Sequence, residues 1–101
     1  MSAEVMLVLL AEPDSAARLS DWLAEADLPG GWYETMVDLV GGTAPYRSRR
    51  EQVRGRRPRV RFEVRVSRTD AARLGAAIAS RFGSDAAVVV LAQEIVPLVG
   101  E

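Results

Sequence analysis

Ten of the thirteen arginines fall between Tyr46 and Arg68, in the run YRSRREQVRGRRPRVRFEVRVSR, beside only two acids, Glu51 and Glu63. The rest of the chain holds three arginines and twelve acids, so a net charge of −1 conceals a basic centre in an acidic body. A guanidinium group is a planar fork of donors that matches carboxylate and phosphate oxygens in pairs. The chemistry open to this stretch is therefore recognition of an anion or of an acidic surface. Other chemistries fail on inventory. The sequence has no Cys, His or Lys, which removes thiolate and imidazole catalysis, the ordinary zinc site, Schiff-base chemistry and the P-loop lysine. Met1, Met6 and Met36 with scattered carboxylates make no soft-metal site. Glu63 between Arg61 and Arg65 has the composition of an acid with electrostatic partners, but in an alternating strand it reads as a structural ion pair. No catalytic residue, metal ligand or cofactor is expected.

These arginines need a scaffold, and 101 residues suit one domain, 1–101, with a single two-layer core. Val5 to Leu10 is apolar at every position, the pattern of a central strand covered on both faces. Asp14 or Ser15 is placed to cap a helix in which Leu19, Trp22, Leu23 and Ala26 form one stripe, closed by Pro29, Gly30 and Gly31. Trp22 reads as core. Trp32 to Val40 suggests a strand near an edge, since Glu34 and Asp38 share a face. Gly41 and Gly42 release a long basic loop, 41–58. Within it Ser48 and Glu51 have capping-box spacing and Gly55 stands where a left-handed stop belongs, which predicts a short helix over Arg49 to Arg54 with Arg50 and Arg54 on one side.

Arg59 to Val66 alternates strictly, with Val60, Phe62, Val64 and Val66 toward the core and Arg59, Arg61, Glu63 and Arg65 on the other face. Thr69 or Asp70 is expected to cap a second long helix with Ala71, Leu74, Ala77 and Ile78 and Phe82 buried, closed by Gly83. Ala86 to Leu91, continuing to Val99, gives a fourth strand that Pro97 bends or ends. The order strand, helix, strand, strand, helix, strand predicts an α+β ferredoxin-like βαββαβ sandwich, a four-stranded antiparallel sheet with two helices on one face. The other face would then show Val, Leu and Met to water, which predicts oligomerisation there, with Arg61, Glu63 and Arg65 pairing between subunits.

With the loop and third strand laid out, the chain resembles the PII-like signalling proteins. Tyr46 falls in the loop, as a tyrosine does in PII, and Arg57, Pro58, Arg59, Val60, Arg61, Phe62, Glu63 follow the rhythm of the PII return to the sheet, with Arg for Lys. The run Glu51, Gln52, Val53, Arg54, Gly55, Arg56 looks like the loop signature of an uncharacterised PII-like subgroup often encoded beside heavy-metal efflux systems. The resemblance implies a homotrimer whose loop carries regulation. It also implies Tyr46, Arg50, Gln52, Arg54, Arg56, Arg57 and Arg59 as the residues that meet an effector or partner. Where nucleotide-binding PII proteins have a Gly-Asp-Gly loop and C-terminal arginines, this chain has Gly83, Ser84, Asp85 and Ile95, Val96, Pro97, Leu98, Val99. Nucleotide binding in the PII manner is not implied.

The function expected is a non-enzymatic, cytoplasmic regulator that binds a small anion or an acidic protein, with a transport system as the possible partner and no membrane insertion, since no apolar run approaches ~18 residues. The alternative is nucleic-acid binding, because RNA-recognition domains share this element order. Against it, the first strand has no aromatic residue on which a base could stack.

Overall fold

The chain is organised around β1 (Glu4–Ala11), where seven apolar residues in succession leave no face for water. A computed structural model describes residues 4–42, 46, 48–83, 86–87 and 93–95. Along one edge β1 pairs antiparallel with β3 (Arg56–Ser67), from Glu4↔Ser67 to Ala11↔Val60. This register puts Val5, Leu7, Leu9 and Ala11 on the same face as Val66, Val64, Phe62 and Val60. All eight are buried in the core. Beyond β3 lies β2 (Tyr33–Val40), again antiparallel, so the three long strands run β2-β3-β1.

Helices α1 (Pro13–Glu25) and α3 (Arg68–Phe82) cover the core face, with Leu19, Leu23, Leu74, Ile78 and Phe82 packed against the strands and Trp22 partly buried beside them. Their ends differ from expectation. α1 begins at Pro13 with Glu12 at the cap position, where its side chain does not bond the free amides of the first turn. Proline fits the first helical position because its missing N–H has no intrahelical partner there, and this draws the start ahead of Asp14 and Ser15. α1 also stops before Pro29, because Asp27 takes the left-handed conformation (φ 55°), which a short polar side chain tolerates. α3 is capped by Ser67, whose Oγ accepts from the Asp70 N–H at 3.1 Å, so Thr69 and Asp70 lie in its first turn.

On its second edge β1 carries two short strands, β4 (Ala86–Ala87) opposite Leu10 and Ala11, and β5 (Gln93–Glu94) opposite Val5 and Met6. The described residues thus give an α+β fold with a three-stranded antiparallel sheet, two short edge pieces and three helices. The remainder of the expected fourth strand, through Pro97 and Val99, lies outside the described residues, as do Ser84, Asp85 and Val96.

The third helix, α2 (Arg49–Arg54), sits inside the long connection between β2 and β3. Ser48 caps it by accepting from the Glu51 N–H at 3.2 Å, and Gly55 ends it at φ 66°. The connection is shorter than expected: Arg56, Arg57 and Pro58 already pair with Val40, Leu39 and Asp38 and belong to β3. Among the described residues no helix is long and apolar enough to cross a membrane.

Candidate functional site

β3 is twelve residues long and β1 eight, so the two part company at Val60. Arg56 to Arg59 run past the end of β1 and pair only with Val37 to Val40 of β2. The result is a two-stranded ribbon extending roughly 13 Å beyond the three-stranded sheet at ~3.3 Å per residue, with α2 leading into it at Arg56. Six arginines of the run lie here: Arg56, Arg57 and Arg59 on the ribbon and Arg49, Arg50 and Arg54 on α2. The molecule measures 50 × 30 × 19 Å with a radius of gyration of 15.1 Å, above the ~13 Å of a compact chain of this length.

The site arginines fall into three groups. Arg50 and Arg54, with Gln52 and Arg49, are exposed on α2 and make no side-chain hydrogen bond or ion pair with any described residue. Arg50 and Arg54 stand four apart and so share a side of the helix, with Val53 next to them 82% exposed. A second group is engaged along the strands. Arg56 lies 3.6 Å from Asp38, Arg59 donates to its neighbour's Pro58 carbonyl at 2.8 Å, Arg61 lies 3.7 Å from Glu63, and Arg65 pairs with Glu4. These pairs are partly exposed, where an ion pair contributes ~0–1 kcal/mol. The expected interface residues Arg61, Glu63 and Arg65 therefore have partners within one chain.

Arg57 stands alone in the third group. It is 1% exposed, the largest fully buried side chain described. Its Nη2 donates to the Gly41 carbonyl, its guanidinium lies 4.6 Å from the centre of the Tyr46 ring, and its Nε has no hydrogen-bond partner among the described residues. Sequence reasoning placed Arg57 among the anion ligands but carried no signal that it would be buried while its neighbours were not. The described groups against its guanidinium are the Gly41 carbonyl and the Tyr46 ring, sixteen and eleven residues earlier in the chain.

The face of the sheet away from the helices is less greasy at β1 than expected. Val8 is buried and Met6 and Leu10 are half-buried; their rung partners are Glu63, Arg65 and Arg61, and long charged side chains cover apolar neighbours with their stems. Exposed apolar surface lies instead on β2, at Tyr33 (71%), Met36 (66%), Leu39 and Val40. β2 is an edge strand on which Glu34 is held by Ser20 and the Trp32 indole, each at 2.8 Å.

An open cleft of about 490 Å3 lies elsewhere, lined by Arg18, Asp21, Trp22, Glu25, Arg81 and Phe82. Its two arginines and two acids cancel, so it has no charge with which to recruit an anion. Trp22 meets Phe82 edge-to-face at 6.4 Å, a packing contact. The arginine ribbon remains the candidate site. The model of a family described as a protein of unknown function (DUF3240) matches residues 1–97. No curated protein matches the chain.

Proposed function

The chain belongs to that family of unknown function, and from the placement of its arginines we propose that it is a non-enzymatic, PII-like regulatory protein that acts as a homotrimer. In this reading the connection between β2 and β3 receives a small anionic effector or an acidic protein surface, such as that of a transport component. The observation that carries the proposal is α2, a capped helix leading into the ribbon that holds Arg49, Arg50 and Arg54 in water without a described partner. A ferredoxin-like subunit is supported by the β2-β3-β1 order, by the short strands on the far side of β1 and by the two long helices on one face.

Assembly is supported by the ribbon itself. Two strands alone are marginal in water, and these carry Leu39 and Val40 exposed at an unpaired edge, next to the exposed Met36. A neighbouring subunit would cover them. The nucleic-acid reading is weakened by the sheet, since Phe62 is fully buried on the helix side and β3 presents Arg59, Arg61, Glu63 and Arg65 on the other. Sedimentation equilibrium at micromolar concentration tests the assembly, with three times the 11.0 kDa chain mass expected. A single-chain mass, together with no heat stabilisation by any anion or acidic polypeptide, would refute the reading.

A further inference from the structure

A buried arginine stays charged at any pH a protein survives, so it must find compensation in its surroundings. Arg57 finds little. Against its guanidinium stand one neutral carbonyl, from Gly41, and one aromatic face, from Tyr46; no described carboxylate pairs with it. The half-satisfied part is specific. Nε and Nη2 lie on one side of the guanidinium and donate in parallel, the edge that takes both oxygens of a carboxylate or phosphate. Here Nη2 is held by the Gly41 carbonyl and Nε by nothing described. Gly42 packs beside it, since a side-chain carbon there would lie 3.8 Å from Nη2, in van der Waals contact.

We propose that the Nε–Nη2 edge of Arg57 is the primary site for a small oxyanion, a carboxylate or phosphate, and that the Gly41 carbonyl and Tyr46 ring latch this edge shut until the anion displaces them. The inference rests on the anion-binding reading above and names its ligand class and first contact. An anion that replaces a neutral carbonyl gains a charge-assisted, two-point bond and fills the orphaned Nε, so it favours the open latch over the closed one. Opening releases Gly41 and Tyr46, which join the end of β2 to α2. The exposed Arg50 and Arg54 would change position in response, making the loop tip the reporter and Arg57 the sensor. Tyr46 is 40% exposed, so it can leave without uncovering the core.

The test is titration of the full-length protein with inorganic phosphate and, separately, with acetate, at ionic strength held constant with chloride. The Arg Nε–H resonances are followed by NMR, and affinity by calorimetry. The latch predicts a downfield shift and slowed exchange of one Arg Nε–H, absent from Arg57→Lys, which keeps the charge but loses the fork and should weaken binding at least tenfold. Arg73→Gln, an exposed charge on α3 beside Asp70 and far from the ribbon in sequence, should change affinity less than threefold. Tyr46→Ala removes part of the latch while leaving Arg57 in place, and should tighten binding several-fold, because a larger fraction of molecules is already open. This variant keeps the test decisive even where Arg57→Lys folds poorly. If anions bind but Arg73→Gln weakens them as much as Arg57→Lys, or Tyr46→Ala binds no tighter than the parent, the latch is wrong while anion binding stands. If neither anion binds the parent protein, both fall.

Discussion

Arg57 poses the sharpest question at the scale of single residues, because an apolar side chain of similar length would suit its surroundings about as well. Replacing it with Met removes a charge-assisted bond to Gly41, worth ~1.5–3 kcal/mol, and a ring contact of ~0.5–2 kcal/mol. It also removes an unsatisfied buried donor, which costs ~1–3 kcal/mol and more for a charged group. The terms nearly cancel. Arg57→Met is therefore expected to lie within about 1 kcal/mol of the parent by urea denaturation. A loss of 3 kcal/mol or more would make Arg57 a structural residue instead of a ligand-binding one. Phe62 gives the contrast. It is fully buried at the centre of β3, and Phe62→Ala should cost ~3–5 kcal/mol, a large part of the ~5–15 kcal/mol that holds a domain together.

Two helices with the same cap allow a controlled comparison among elements. Ser48 and Ser67 each accept a hydrogen bond from the N–H three residues on, at 3.2 and 3.1 Å. Losing such a cap costs ~1 kcal/mol. α3 buries Leu74, Ile78 and Phe82 in the core, whereas α2 buries nothing. Ser67→Ala should therefore lower the global unfolding free energy by about that amount. Ser48→Ala should leave global stability unchanged and show only as faster hydrogen exchange at the Glu51 and Gln52 amides, because an unpacked helix opens locally. Equal global losses in the two variants would mean that α2 is docked on something in solution.

For the whole molecule the decisive quantity is mass. β2 is the edge of the sheet, exposed on both faces over most of its length, and Leu39 lies on the ribbon that leaves the sheet behind. Leu39→Asp puts a charge where the proposed subunit contact falls, at a position 42% exposed in the single chain. The expected outcome is a protein with unchanged circular dichroism and one third of the parent's sedimentation mass. If the parent is already a single chain, or the variant keeps the parent's mass, the ribbon is not the contact.

Periodicity and punctuation made much of this protein legible. Val60, Phe62, Val64 and Val66 could only share one face because strand side chains alternate, and Ser48, Glu51 and Gly55 specified α2 because capping depends on neighbours within one turn. Those are short-range rules, and a sequence carries them in full. The start of α1 was misplaced by a competing short-range rule, proline's fit to the first helical position. What no local rule contains is that β3 outruns β1 by four residues, which follows only from the register Ala11↔Val60 between segments some fifty residues apart. The same holds for Arg57: its spacing matches that of its neighbours, and contacts with Gly41 and Tyr46, more than ten residues away, go with its being the one buried arginine among the described residues. The sequence set which side chains could bind an anion; long-range pairing and contact decided which of them is shielded from water, and shielding gives a charge its energetic weight.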